Sequence, residues 1–444
     1  MLARHRYVEL GWACILAGLA AGLYSSNAGN TLWISATLLA AMVLLPTHSL
    51  QMRVVDWIVL LLCAFEIPSL SFSQYRATSI RVTVTIAIFA LTYCTARLAI
   101  RTNLQMVSLS ALLGLGGGYL ALFGLSHFDA NAKRLDTVGL TNLVAFRSRL
   151  ISPPSPWIQG EWFNLLLLAL PYACVLPLYL FQRQQRKWLA ATTLVVPVLI
   201  TATLCVSLSR AVFWSVIVFC FVSCAFLLGS RLVKARAAGV LFGVALVALV
   251  LILAAESAVY PGLLTAYTGQ HTSQVRSTQG RFEIWNRSLE VVRAHPLWGV
   301  GSGNSALSLT STADQEETTG FASRTFSLPI QVLVEKGIVG FLLYGAFLVL
   351  VAREFIRTIR YSPPETLVAS LSGRKKSSSV RAGDDNQAVL TELSARKAMA
   401  CCFAAGLGAV LFRELTYSSL FEHQLTLALT GVLSALVCLP EQGK

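Results

Sequence analysis

Two stretches of the chain hold arginines where an arginine is expensive to keep. Arg210 sits in LCVSLSRAVFW, a turn so tight between two apolar runs that it must lie at the surface they share. A cation there is costly unless it meets an anion or a partner. The segment 276–304, RSTQGRFEIWNRSLEVVRAHPLWGVGSGN, carries Arg276, Arg281, Arg287 and Arg293 within a few helical turns. A guanidinium is a rigid fork that binds two phosphate oxygens at once. Fixed cations of this kind also stabilise the charge that grows on a departing phosphate group. Arg147, Arg149 and Arg324 lie in the same class of segment, as do Arg76, Lys133, Arg134 and Arg413, a set biased to arginine over lysine. Trp285 stands among them as a further candidate substrate contact.

Candidate proton acceptors are fewer. Glu161 opens an apolar run in WIQGEWFN, beside Trp157 and Trp162. Partial desolvation at such an edge strengthens a carboxylate as a base. Glu414, Glu422 and His423 bracket the start of the last apolar run, and His423 is a second candidate base. His295, before Pro296, shapes a turn, and Glu335–Lys336 reads as a structural pair. Asp384–Asp385 belongs to a solvated linker. No acidic cage for a metal is expected, and no cofactor.

These residues must be placed by membrane helices. Of 444 residues, 55% are hydrophobic and 13% charged, against about a quarter charged in soluble domains. The apolar runs give about twelve spans, roughly 8–25, 32–49, 54–73, 80–98, 104–124, 162–181, 188–208, 211–229, 237–255, 328–351, 396–412 and 418–438. The basic start at Arg4 and Arg6 leads into the first span and not into a cleavable signal. All ten cysteines fall inside spans, so no disulfide framework is implied. The net charge of +14 is divided among membrane loops, which points to anionic lipid and lipid-linked phosphate and away from nucleic acid.

The positive-inside rule places both termini in the cytoplasm, with Arg53, Arg97, Arg101, Arg183, Arg231 and the cluster from Arg353 to Lys397 on that side. The fold class is therefore an all-α polytopic bundle. Residues 1–255 form spans 1–9, 256–327 a long outer loop, and 328–444 spans 10–12 with a basic, flexible cytoplasmic loop at 352–395. Within the outer loop, Ile284, Trp285, Leu289 and Val292 recur at helical spacing, which predicts an amphipathic helix along the surface. Thr278 or Gly280 caps it, so Arg281 falls near its start, where backbone N–H groups attract anions. GVGSGN follows a helix instead of linking a strand to one, so it reads as a tight turn and not as a phosphate loop.

SLSRAVFW at 207–214, GRFEIWNRSLEVVRAHPLWGVGSGN at 280–304 and QVLVEKGIVGF at 331–341, in that order and spacing, resemble the O-antigen ligase and polymerase superfamily of membrane glycosyltransferases. The resemblance covers 207–341. It implies transfer of glycan from a polyprenyl-diphosphate donor at the periplasmic face of a bacterial inner membrane. Arg210 and Arg281 would hold the donor diphosphate, and transfer would be metal-independent with inversion. Ligases of the family generally carry a histidine just before the tenth span; here that place holds Phe326–Ser327. This turns the expectation towards a polymerase of lipid-linked repeat units, with a second glycan as acceptor. The alternatives are a ligase acting on a lipid A core and, in another class, a polysaccharide-precursor flippase or transporter.

Overall fold

The computed structural model describes residues 52–73, 75–100, 102–126, 159–182, 187–206, 209–229, 272–305, 308–309, 325, 327–360, 381–415 and 424–438, with isolated positions between 247 and 254. Every element among the described residues is a helix: α1 (Val54–Phe72), α2 (Arg76–Ala99), α3 (Asn103–Ser126), α4 (Gln159–Gln182), α5 (Lys187–Thr193), α6 (Val195–Val206), α7 (Arg210–Gly229), α8 (Thr272–Ala294), α9 (Leu328–Arg360), α10 (Arg381–Glu414) and α11 (Gln424–Val437). Seven of them carry stretches long and apolar enough to cross a membrane, and the chain is a multi-pass membrane protein. Helices are the natural solution in lipid, where each main-chain group must be satisfied within its own segment.

The expected spans at 8–25 and 32–49 lie outside the described residues, and 237–255 is described only at isolated positions. The run expected at 188–208 is divided into α5 and α6 at Leu194. Pro197 explains the division: it has no N–H for the carbonyl of Thr193, and its ring crowds that carbonyl. Both ends of the loop expected at 352–395 are helical, and 361–380 lies outside the described residues. The helix α9 continues to Arg360 and α10 begins at Arg381. Glu354 ties the end of α9 down, accepting from Arg53 at 2.7 Å and from Arg357 at 3.5 Å. Asp384 and Asp385 fall near the start of α10, where negative charge suits the helix dipole.

Small residues set the spacing in the middle of the bundle. A Cβ on Gly114 would lie 2.8 Å from Ala173 Cα, and one on Gly117 only 2.4 Å from Ala169 Cβ, so α3 and α4 approach as closely as backbones allow. The ring of Pro171 in α4 fills the space over Gly406 in α10. Next along this antiparallel pair, Tyr172 packs on Phe403 and Asn164 meets Arg413.

Pairings like these fix which helix ends lie together. At one end, Arg53 meets Glu354, Arg97 pairs with Asp56, and Tyr93 donates to Asp56 at 2.9 Å. Gathered at the opposite end are the start of α2, the end of α3, the starts of α4, α7 and α9, and the end of α10. The first group is the one expected to face the cytoplasm, and the second carries Arg76, Glu161, Arg210 and Arg413.

Candidate active site at the arginine-bearing end

The helix α9 is broken at Gly337, whose φ of 61° and ψ of −165° are not helical. In an unbroken helix the N–H groups of Ile338 and Val339 would donate to the carbonyls of Val334 and Glu335. Here Ile338 N–H donates to Pro296 O at 2.8 Å and Val339 N–H to Leu297 O at 3.3 Å. The two carbonyls released accept from Val300 N–H and Gly301 N–H, both at 2.9 Å. Four helical partners are exchanged for four from HPLWGVG, so these two N–H groups and two carbonyls all keep a partner at the break. The exchange needs contact closer than a side chain permits. A Cβ on Gly337 would lie 2.3 Å from Leu297 O, and one on Gly299 would lie 2.4 Å from the carbonyl carbon of Glu335.

The turn GVGSGN spends its amides inside the protein. Besides the two bonds to α9, Gly299 N–H donates to His295 O, Ser302 N–H to Ser69 Oγ, Gly303 N–H to Glu335 Oε2 and Asn304 N–H to Gly301 O. Positive φ at Gly299, Gly301 and Gly303 makes this course possible. With all six amides from 299 to 304 engaged, the segment is a turn and has no N–H left to cradle a phosphate.

Beneath the turn lies a buried polar network. Lys336 is fully buried and donates to Glu66 of α1 and, at 2.6 Å, to Ser302 Oγ. Ser302 in turn donates to the other oxygen of Glu66 at 2.6 Å. Glu335 accepts from Gly303 N–H at 2.8 Å, Ser305 at 2.7 Å and Gln331 at 3.0 Å. The sequence suggested that Glu335 and Lys336 form a pair; they do not. Successive residues of a helix point in different directions: Lys336 turns to α1 and the turn, and Glu335 to the turn and to Gln331 one helical turn earlier. Trp298 completes the joint, stacked between Phe65 and Phe72 of α1 at 5.7 Å from each.

This joint holds α8. Ile284 and Val291 of α8 are buried in a small cluster with Val300, Leu309 and Val334. Trp285 donates from Nε1 to Thr325 O at 2.8 Å, tying α8 to the residues that lead into α9. Arg281, half-buried, lies one turn before Trp285. The helix starts at Thr272, earlier than the expected cap at 278–280, so Arg281 is in mid-helix and gains nothing from free N–H groups at a helix start. Arg287 is partly buried and bridges to the largely exposed Glu283 at 2.8 Å, an i, i+4 pair along α8.

A second group lies at the same end of the bundle. Arg413 and Glu414, 3% and 0% exposed, close α10. Arg413 donates to Asn164 Oδ1 of α4 and to Glu414 at 3.1 Å. Glu161 is three residues before Asn164, on the same stripe of α4. Arg210 is the first residue of α7, which packs along α10. The structure therefore brings Arg210 and Glu161, as backbone positions, to the end that holds Arg413. Arg147, Arg149, Arg324 and His423 lie outside the described residues. Burial of the trio Asn164–Arg413–Glu414 escaped the sequence reading. The available signal was a charged doublet closing an apolar run, one short loop before the last span.

Residues 195–345, about a third of the chain, match the family model described as O-antigen ligase. No curated protein matches the chain.

Proposed function

We propose that this chain, whose residues 195–345 match the family model described as O-antigen ligase, polymerises polyprenyl-diphosphate-linked oligosaccharide repeat units on the periplasmic face of an inner membrane. The carrying observation is the segregation of the bundle's ends. The matched region sets Arg210 at the start of α7 and Arg281 on α8, at the end where Arg413 and Glu414 are also buried. A polyprenyl diphosphate brings an anion to that end and an apolar tail to the bilayer beside it.

In the reaction, an acceptor hydroxyl attacks the anomeric carbon of the donor glycan. The bond from that carbon to the diphosphate breaks, and its electron pair leaves on the diphosphate, which Arg210 and Arg281 stabilise. One displacement inverts the anomeric centre, without a metal. Glu161, whose backbone position lies at this end of the bundle, takes the hydroxyl proton, with His423 as the alternative base. Arg147, Arg149, Arg287, Arg324 and Trp285 bind the rest of the donor. A second glycan chain serves as acceptor.

Two observations divide polymerase from ligase. The matched family carries the name of the ligase, which favours transfer to a lipid A core. Phe326–Ser327 stands where a ligase's histidine is expected, which favours the polymerase. The test is purified protein with a synthetic polyprenyl-diphosphate glycan, with and without a lipid-core acceptor. Products of two or more repeats from the donor alone identify a polymerase; a product only with the core identifies a ligase. Arg281→Ala should lower kcat/KM by about a hundredfold or more, as loss of a charge-stabilising donor does. Full activity in that variant and in Arg210→Lys would end the proposal.

A further inference from the structure

A cleft of about 230 Å³ opens between α1, α2, α9, α10 and α11, and its lining presents only apolar surface. Its upper wall is Leu328 and Pro329, the first residues of α9, with Leu411 near the end of α10; Leu62, Phe89 and Phe347 line it towards the middle of the bundle. We infer that this cleft receives the first part of the lipid tail of the polyprenyl-diphosphate donor, an inference that rests on the function proposed above.

Three features single out that occupant. The cleft starts at the arginine-bearing end and descends towards the bilayer centre, the course of a lipid whose charged head stays at the surface. Its upper wall directly follows the residues from Thr325 to Ser327, and Thr325 is the partner of Trp285, one turn from Arg281. A ligand with an anionic head and an apolar tail therefore meets cation and cleft in sequence. The cleft is also open where a side chain would close it. Gly345 lines it, and a Cβ there meets nothing within 4 Å. Glycine is a poor residue for a helix interior, and its presence keeps this wall low.

The open space allows a direct test, because Gly345→Phe and Gly345→Leu add bulk to the lining at a position where a Cβ meets nothing within 4 Å. Gly408→Phe is the control: its Cβ also meets nothing within 4 Å, and it does not line the cleft. Full-length protein in nanodiscs is titrated with one glycan diphosphate carried on a long polyprenyl tail or on a short one. The wild type and Gly408→Phe should prefer the long tail. In the Gly345 variants binding of the long-tailed donor should weaken about tenfold, the loss of roughly two buried methylenes, and the short-tailed donor should bind as before. A tail carrying a photoreactive group should label α9 or α10 of the wild type beside the cleft.

Long-tail preference unchanged in Gly345→Phe overturns the assignment while leaving the proposed function standing. The same holds if a photoreactive diacyl phospholipid labels the cleft and the donor does not displace it. If the wild type binds neither donor, the proposed function falls and takes this assignment with it.

Discussion

Replacing Lys336 with methionine isolates the contact that joins the turn to the bundle. The side chain keeps its length and burial but loses its charge. Glu66, 1% exposed, is then a buried carboxylate whose remaining side-chain partner here is Ser302, at 2.6 Å. Removing one member of a buried pair costs about 3–5 kcal/mol, because the other charge stays in a medium that cannot solvate it. Replacing both members with apolar residues of similar volume is often neutral. Lys336→Met should therefore be strongly destabilising, Glu66→Met likewise, and the double variant should recover most of the loss. A double-mutant cycle of thermal unfolding in detergent measures this coupling. The single variants should melt several degrees below the wild type, with the double variant well above either. Equal losses that simply add in the double variant would refute a direct ionic contact. A single variant that melts like the wild type would refute the burial argument itself.

Gly337→Ala puts a Cβ 2.3 Å from Leu297 O at a φ of 61°; backbone strain alone should cost about 1–3 kcal/mol, read as a fall in melting temperature. Gly117→Val forces α3 away from Ala169, where even a Cβ would approach to 2.4 Å. Overpacking of this kind costs about 1–3 kcal/mol, and melting of the purified variant checks it. Trp285→Phe keeps the ring but removes the bond to Thr325 O at 2.8 Å. A loss of about 1 kcal/mol is expected, with faster protease cleavage between α8 and α9.

Much of the architecture was legible because lipid imposes a simple rule on sequence. Runs such as Val54–Phe72 and Ala211–Gly229 are long, apolar and bounded by basic residues, so their spans could be placed to within a few residues. The amphipathic spacing of Ile284, Trp285, Leu289 and Val292 likewise identified α8, though not its start at Thr272, since a polar stretch such as TSQVRST carries little periodicity. The break in α9 was hidden. QVLVEKGIVGF reads as continuous helix, and a lone glycine inside a helix is usually tolerated. What breaks the helix is the arrival of HPLWGVG, a contact between segments more than thirty residues apart. The partners of Glu335 and Lys336 were hidden for the same reason. Adjacent opposite charges suggest each other, whereas the partners here come from α1, from the turn and, for Glu335, also from Gln331. Arg210 and Arg281 were legible as candidates by residue type and setting, which are local properties.

The exchange at Gly337 bears on how the chain is assembled in a bilayer. Before 296–301 docks, α9 can satisfy its own carbonyls as a straight rod, and afterwards it does so with borrowed amides. Neither form leaves a naked peptide group facing hydrocarbon. Insertion of this span and completion of the joint are thus separable events, the second able to wait until 296–301 has reached its side of the bilayer. The strained glycine conformation arises only in that later event, so a defect at Gly337 should yield protein that inserts with normal topology but does not mature.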